Sequence, residues 1–437
     1  MFNDRINYED EEDDEEWLVD LQGVEENNPK TTVLSGSGDE NYIQNIADDS
    51  WEELGQDIAS NTHLESLSLY ERALNDHKSS CLFRKLTRSS SITDVSFCDN
   101  GLSAVGVRSM VPFLQNANNL KDLYLDENNI RSEGFNIMFR ALRDSPIETL
   151  SCDSCGIDSI EIDTNCMPRK LRSLFLSENS ISADGCRGLA KLLQGGDAAL
   201  TSLYLRNNQI DDEGVQVLAE ALQSNTSLTT LNLRGNDGIS KEGMTMLLTL
   251  INDVSSMKAT LQSNHTLTSL HVKEINHNEL DPHEEIKTHI HVATMINRRS
   301  GSDPNAAGRK KVIQTQLHSQ NRAELCRLQG IDRSLYSEID PLHLPEVLSL
   351  IAQRHGQGEL YAAVLSSIMT LFSTMNREKC IQQKMEYHAA KSAEYEAMAA
   401  GHRTKLEELD KELATIKEAV AKNQDNAYSQ SNKRRRT

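Results

Sequence analysis

The cysteine and histidine residues of this chain are the first candidates for binding a metal ion. Cys152 and Cys155 form a CxxC pair, but a zinc site needs four ligands and no second pair stands at a matching spacing. Six histidines lie between positions 265 and 291. His283–Glu285 resembles the start of the zinc-protease pattern HExxH, but position 287, where the second histidine belongs, is lysine. We therefore predict core packing for the cysteines and solvated positions for the histidines, with no metal and no cofactor.

Motifs of covalent catalysis and of phosphate binding are also missing from the sequence. No glycine-rich phosphate loop follows a strand pattern, and no serine-elbow motif is present. We therefore predict that the protein is not an enzyme. The remaining candidates for a functional site are aromatic and charged side chains, whose positions depend on a repeat in the middle of the chain.

This repeat is a pattern of alternating apolar residues that recurs about every 28 residues. Its form is apolar-x-x-apolar-x-apolar-x-x-Asn, as in Leu120–Asn128 and Leu171–Asn179. Copies begin at positions 64, 92, 120, 147, 171, 200, 228 and 267, and Cys155 takes the asparagine place in the fourth. The alternation predicts a short strand with one buried face. A buried asparagine can bond backbone groups where the chain leaves that strand.

A segment with helical spacing of apolar residues follows most of the strands. Predicted N-caps precede these helices at Ser103, Ser132, Ser182, Asp211 and Ser240. Glycine recurs in the first turn, where a side chain would crowd the neighbouring repeat, at Gly106, Gly134, Gly185, Gly214 and Gly243. One strand and one helix cannot bury a core alone, so the units must stack. We predict a curved α/β solenoid with parallel strands inside and helices outside.

The pattern resembles the ribonuclease-inhibitor-type leucine-rich repeat, which is shared by NOD-like receptor sensing regions and Ran GTPase-activating protein. The resemblance covers residues 62–275, and in that family a cysteine can replace the repeat asparagine. It implies a solenoid that binds a partner on its concave side. Two copies depart from the pattern. The short copy at 147–170 lacks the glycine and the helix, which predicts a kink, and an insertion near 252–261 predicts a frayed or looped end.

The predicted binding site lies on the strand side of the solenoid, where positions three, five and seven of each copy point to solvent. The aromatic residues are at position five, and the charged residues at positions three and seven change from acidic to basic along the chain. The predicted partner-binding residues are Tyr124, Phe175, Tyr204, Asp122, Asp126, Arg206 and Arg234, with Asp94 and Asp153 adding to the acidic end. Aromatic and arginine side chains dominate binding hot spots, so this surface suits a protein partner.

The regions on either side of the solenoid differ from it in composition. Residues 1–60 hold 19 of the acidic residues against two basic ones, and Glu9–Glu16 is an unbroken acidic run, so 1–61 is predicted to be a disordered acidic head. Residues 276–312 are interpreted as a linker and 313–376 as a small helical unit. Residues 377–423 predict a long helix or coiled coil, and 424–437 a disordered basic tail.

A heptad seam within the long helix indicates a homodimer as one alternative. The apolar residues step by three and four through Leu406, Leu409, Leu413, Ile416 and Val420. In a parallel dimer Lys405 would face Asp410, and Glu412 would face Lys417. The other alternative is an exposed helix folded back on the 313–376 unit, because the seam spans only about three heptads.

Composition and end sequences favour a cytoplasmic protein. The acidic N-terminus lacks the basic region of a secretory signal, and the eight cysteines show no disulfide spacing. The longest uncharged apolar stretch, Leu360–Phe372, has 13 residues where a membrane span needs about 20. Lys433–Arg436 resembles a nuclear import signal, so nuclear entry is an alternative. Nucleic-acid binding is disfavoured, because the repeat region lacks net positive charge.

These observations predict a non-catalytic interaction module or scaffold whose partner is an unidentified protein. Two other functions stay open at this stage. A GTPase-activating protein of the Ran type rests on fold-level likeness alone, because no matching arginine motif is identified. An acidic histone-binding nuclear protein is suggested by repeats together with an acidic run, although here the run is short and N-terminal.

Overall fold

Nine strands form one parallel sheet and follow each other across it in chain order. The computed structural model describes residues 12–37, 46–71, 73–163, 167–195, 199–272, 283–301, 306–308, 310–312, 319–331, 405 and 411. The strands are β1 (Val33–Ser37), β2 (Ser66–Tyr70), β3 (Asp94–Ser96), β4 (Asp122–Tyr124), β5 (Thr149–Ser151), β6 (Ser173–Phe175), β7 (Ser202–Tyr204), β8 (Thr230–Asn232) and β9 (Ser269–His271). The chain divides into two units, residues 1–347 and 348–437, and the elements named here belong to the first.

The pairing register of the sheet follows the repeat. The apolar residue at position four of each copy pairs with its counterpart, as Leu123 does with Leu150 and Leu174 with Leu203. In most of the three-residue strands this leucine is buried and its two neighbours are half-buried, so one side of the sheet faces the core and the other faces solvent. All eight copies predicted from the sequence form strands, as β2 to β9, which confirms the predicted solenoid.

Helices cover the core side of the sheet. Their bounds are α1 (Glu12–Glu25), α2 (Asp48–Ser60), α3 (Asp76–Lys85), α4 (Ala104–Asn116), α5 (Arg131–Ala141), α6 (Ala183–Gln194), α7 (Asp212–Leu222), α8 (Lys241–Ile251), α9 (Met257–Gln262), α10 (Glu284–Arg299) and α11 (Ser319–Leu328). Helices of consecutive repeats pack against each other where both repeats have one. A side chain at Gly185 would meet the Asp158 carbonyl oxygen of the preceding repeat at 2.9 Å, so the predicted crowding at this position is confirmed.

A row of buried asparagines joins each repeat to the one before it. The Asn128 amide donates to the Phe97 carbonyl oxygen at 2.7 Å, and its own carbonyl oxygen accepts the Leu102 N–H at 3.1 Å. Asn179, Asn208 and Asn236 repeat the arrangement in the following repeats. Each amide therefore satisfies backbone groups that the strand exit would otherwise leave buried without partners.

Cys155 takes the asparagine place in the fourth predicted copy, and its thiol replaces one of the hydrogen bonds that the asparagine amide makes in the other copies. Its Sγ donates to the Leu125 carbonyl oxygen at 3.1 Å, and both it and Cys152 are fully buried. The predicted core packing of the CxxC pair is confirmed. In the described residues between β5 and β6 no helix forms, which agrees with the missing helix pattern of that copy.

A second row of buried asparagines was not predicted. Asn61, Asn225 and Asn264 each stand three residues before the first leucine of a copy and accept that leucine's N–H. Their amides donate to carbonyl oxygens of the preceding repeat, as Asn225 does to Leu193 at 2.8 Å. This row supports the helix-to-strand turns, opposite the strand-to-helix turns that the first row supports.

The predicted disorder of the head is wrong for residues 12–37 and 46–61. They form α1, β1 and α2, and β1 extends the sheet by pairing with β2 along five residues. Trp51 and Leu34 are fully buried in the continuous core. The acidic side chains did not prevent folding here, because the apolar residues of this segment can pack on the first predicted repeat.

The predicted frayed or looped end and the predicted linker are also wrong for the described residues. The insertion near 252–261 contains the short helix α9, and β9 still pairs in register with β8. Within the predicted linker, α10 packs on α8 and β9. Lys311 is fully buried and donates to the carbonyl oxygens of Ile251 and Asn264. These contacts cover the last repeat, which has no further repeat to pack against.

The predicted helix starts are correct in four repeats and need one correction. Ser103, Asp211 and Ser240 accept backbone N–H groups as N-caps. Ser182 occupies the cap position without a side-chain cap bond. Ser132 is not a cap, because α5 begins at Arg131; its hydroxyl instead accepts N–H groups of residues 158 and 159 in the next repeat.

Most of the region predicted as the helical unit, the long helix and the basic tail lies outside the described residues. α11 falls within the predicted unit at 313–376 and contributes Leu325 and Leu328 to the core. The heptad residues Leu406 to Val420 lie outside the described set, and so do Glu9 and Lys433–Arg436. None of the helices in the described residues combines the length and apolar character needed to cross a bilayer.

Candidate protein-binding surface

The concave face is defined here as the sheet surface formed by positions three, five and seven of the strands. Position five runs across the sheet as one continuous row, because parallel pairing aligns equivalent residues. From β2 to β9 this row is Ser68, Ser96, Tyr124, Ser151, Phe175, Tyr204, Asn232 and His271. The three aromatic residues predicted for the site therefore lie on one surface, half-buried.

Phe175 and Tyr204 form the apolar centre of the concave face. Their rings stack with centroids 4.4 Å apart and planes 2° from parallel. Tyr124 lies two strands away from Phe175, with Ser151 between them. The arrangement offers flat aromatic surface to a partner at little cost in side-chain entropy, because the rings already restrain each other.

Four carboxylates make the acidic end, on β3 and β4 and just after β4 and β5. Asp94 and Asp122 are register partners on adjacent strands. Burial raises the pKa of Asp122, and the neighbouring Asp94 charge raises it further, against the lowering effect of the Thr149 hydroxyl. Burial also raises the pKa of Tyr124, with added contributions from the Asp122 and Asp94 charges. The negative charges therefore repel each other, and a cation from a partner would relieve that repulsion.

The other two acidic residues, Asp126 and Asp153, also form hydrogen bonds within the protein. The Asp126 carboxylate accepts the Asp153 N–H at 2.7 Å and the Ser151 hydroxyl at 2.5 Å. The Asp153 carboxylate accepts the Ser177 N–H in the same way. Burial, together with the Asp126 charge, raises the pKa of Asp153 to about 6. These two residues are therefore less available to a partner than Asp94 and Asp122.

Arginine and histidine make the basic end, near β7 to β9. Arg206 is exposed, whereas Arg234 is half-buried and its Nε, among the atoms described, is buried without a hydrogen-bond partner. Burial lowers the pKa of His271, and the charges of Arg234 and Arg298 lower it further. Arg298 comes from α10 and donates to the Thr268 carbonyl oxygen at 3.1 Å. An acidic group of a partner would find several donors here.

The sequence analysis missed two residues of this basic end. His271 belongs to the position-five row, and the eighth copy, which begins at 267, predicted its place there. Arg298 had no such signal, because it lies outside the repeats and reaches β9 only through the packing of α10.

The predicted solvation of the histidines is wrong for His271, described above, and at two further places. His265 is half-buried, with its Nε2 at 3.1 Å from the Leu261 carbonyl oxygen and its Nδ1 at 3.2 Å from Lys311 Nζ. Burial lowers the pKa of His265 to about 4, with help from the Lys311 charge. The His289 side chain is only 15% exposed and lies 3.4 Å from Glu324. These residues hold the end of the solenoid together and do not converge on one site.

Comparison with protein-family models agrees with the repeat architecture. A family model described as "Leucine Rich repeat" matches residues 199–219 and 224–248. The chain is similar to the Leiomodin-1 Actin-Binding Site 2 structure, with TM-score 0.26 and 16% identity over 30% of this chain and 78% of that chain. It is also similar to the yeast Rad7 and Elc1 complex, with TM-score 0.33 and 17% identity over 60% and 69%. A search of curated proteins gives no match.

The fold is therefore a leucine-rich-repeat solenoid, with nine parallel strands on one side and helices on the other. Its asparagine rows, its register and the matching repeat model all fit a leucine-rich-repeat family. The likenesses to solved structures are too weak to bear on function. The finer resemblance to the ribonuclease-inhibitor type stays a prediction.

Proposed function

We propose that this protein is a non-catalytic interaction module or scaffold that binds a protein partner on the concave face. The observation that carries the proposal is the stacked pair of Phe175 and Tyr204 at the centre of an otherwise polar sheet surface. Solvated strands need no large aromatic groups. An aromatic centre with a charged rim is the usual composition of a binding hot spot.

The charge distribution adds an orientation to this proposal. Asp94 and Asp122 repel each other on one side of the aromatic centre, and Arg234 keeps a buried donor without a partner on the other, within the described part of the chain. A partner with basic groups near Tyr124 and acidic groups near Arg234 would relieve both. Such complementarity fixes the register of a complex and speeds its formation.

The test is a pull-down with the full-length protein as bait, followed by mass spectrometry and by direct binding to each captured protein. The triple variant Tyr124→Ala, Phe175→Ala and Tyr204→Ala is expected to lose the direct partner while its circular dichroism stays unchanged. The matched control replaces exposed residues of the helical side, Val105, Gln216 and Leu261, with alanine and should bind normally. Full binding by the triple aromatic variant would refute the proposal.

Charge variants test the orientation separately. The pair Asp94→Asn and Asp122→Asn should weaken binding to a partner segment rich in lysine or arginine. The pair Arg206→Ala and Arg234→Ala should weaken binding to an acidic segment. Both effects should shrink as the salt concentration rises, because rim charges are screened beyond about 8 Å at physiological ionic strength. Equal effects of both pairs on the same isolated segment would contradict the orientation while leaving the aromatic site intact.

A further inference from the structure

The contact between α2 and α3 carries a cluster of three different metal-binding groups. Asp48 begins α2, and His77 and Cys81 lie four residues apart on α3. Spacing of four places the two α3 side chains on one face of the helix, and α2 packs directly against α3. The donor atoms of the three residues all lie within 4.8 Å of one another.

We propose that Asp48, His77 and Cys81 form a binding site for a borderline-soft divalent cation of the zinc class. Carboxylate oxygen, imidazole nitrogen and thiolate sulfur are the three donor types that zinc takes from proteins. The cluster supplies one of each, from two helices. A water molecule would complete a tetrahedral site, since three protein ligands leave one position open.

The present geometry is close to what such an ion requires. His77 Nε2 lies 2.7 Å from the Asp48 carboxylate as a hydrogen-bonded pair. Ligands at about 2.0–2.3 Å from a tetrahedral ion stand roughly 3.3–3.7 Å apart, so this pair must open by less than about 1 Å. Both side chains are more than half exposed, at 68% and 61%. They can therefore move apart without disturbing the core.

Cys81 is the anchor of the proposed site, because it is only 2% exposed and its position is fixed by the packing of α3. Burial raises the pKa of its thiol, and the Asp48 charge raises it further, while Arg84 lowers it. Binding would release one proton from the thiol as the sulfur–metal bond forms. The thiolate and the Asp48 carboxylate together would neutralise the two charges of the ion, with His77 contributing its neutral nitrogen.

The place of the cluster in the fold gives the ion a structural consequence. α2 belongs to the repeat of β1, and α3 belongs to the repeat of β2. An end repeat of a solenoid gains packing from one neighbour only and opens more readily than an internal one. A metal ion shared by α2 and α3 would hold the end repeat to its neighbour.

The experiment uses the full-length protein. Its cysteines are first reduced with a reductant that contains no thiol, and bound metal is removed with a chelator. The protein is then titrated with Co²⁺ and afterwards with Zn²⁺. We expect one equivalent of Co²⁺ to give tetrahedral visible absorption and a thiolate-to-cobalt charge-transfer band, both removed by one equivalent of Zn²⁺. Cys81→Ser should abolish the charge-transfer band. His77→Ala and Asp48→Asn should each weaken Co²⁺ affinity at least tenfold.

Matched controls replace residues of the same types outside the cluster, with Cys98→Ser for the thiol and His63→Ala for the imidazole. Both should keep the full signal. Circular dichroism checks that the variant of the buried Cys81 is folded. His77 and Asp48 are exposed, so their variants report on the site independently of folding. Hydrogen exchange of α2 should slow with Zn²⁺ in the original protein and in the two controls, but not in the variants of the cluster. No thiolate band, or a band that survives in both Cys81→Ser and His77→Ala, would overturn the proposal.

Discussion

Two rows of residues cross the sheet from repeat to repeat, and they differ in how much they vary. The strand-exit row is asparagine in every described copy except those of β2 and β9 and the copy with Cys155, and its members are buried. The position-five row changes from serine to aromatic to asparagine to histidine, and most of its members are half-exposed. The side chains of the buried row hydrogen-bond to the backbone of the neighbouring repeat. Every repeat needs the same bonds, so the same residue type recurs. The side chains of the exposed row make no hydrogen bond that recurs from repeat to repeat. Their residue types can therefore vary to match a binding partner.

This comparison predicts opposite consequences for substitutions in the two rows. A change in the buried row should lower the free energy of unfolding and leave the binding surface intact in the folded protein. A change in the exposed row should cost little stability and alter binding. The predictions below test this separation.

The largest effect is expected for Asn179→Ala. The Asn179 carbonyl oxygen accepts the N–H groups of Cys155 and Ile157, and its amide donates to the Cys152 carbonyl oxygen. Alanine would leave these buried groups without partners, so the unfolding free energy should fall by about 3 kcal/mol. Urea denaturation followed by circular dichroism measures the change. The exposed Gln209→Ala of the next repeat is the control, with a change within about 0.5 kcal/mol. A loss below about 1 kcal/mol for Asn179→Ala would contradict the role of the row.

A smaller effect is expected in the exposed row for Phe175 and Tyr204. Their stacked rings should couple by about 1 kcal/mol in a double-mutant cycle of alanine variants, because aromatic pairs gain roughly that much beyond their buried area. Chemical denaturation of the four proteins gives the coupling energy. The same cycle for Tyr124 and Phe175 is the control, and it should give no coupling, since Ser151 separates them in the sheet. Equal coupling in the two cycles would show that the stack does not persist in solution.

The smallest effect concerns Asp153, whose pKa is raised to about 6 by burial and by Asp126. Between pH 3.8 and 6 the folded protein holds a proton that the unfolded chain has lost, so this residue lowers stability as pH rises through that window. Asp153→Asn should therefore be more stable than the original protein above pH 6, by less than about 1 kcal/mol after solvent screening. The difference should vanish near pH 3. Denaturation curves at a series of pH values measure it, and a difference that grows toward acid pH would reverse the assigned sign.

Much of the fold could be predicted from the sequence, and the reason lies in the repeat. The local features of the repeat are the strand pattern, the buried asparagine and the N-cap, as at Ser103, Asp211 and Ser240. They recur from copy to copy, so each copy supports the prediction made from the others. The second asparagine row had a signal that was overlooked, since Asn61, Asn225 and Asn264 precede their leucines by the same three residues. The concave residues followed from strand alternation alone.

The ends of the solenoid could not be predicted in the same way. β1 has Gly36 where the repeat places a leucine, and its Val33 is half exposed, so the segment has little strand pattern of its own. It becomes a strand because β2 offers an open edge with unpaired backbone groups. At the other end, α10 and Lys311 are held by contacts with the last repeat, and burial lowers the pKa of that lysine to about 7.

The sequence by itself determined the repeating unit, its strand, its buried asparagine and the outward positions of Tyr124, Phe175 and Tyr204. These are short-range consequences of which residues are apolar and how far apart they stand. Only the tertiary structure decided that Phe175 stacks on Tyr204, that Asp48 meets His77 and Cys81, and that β1 and α10 extend the solenoid at its two ends. Those contacts join residues more than 25 positions apart, and their distances depend on how whole repeats pack on one another.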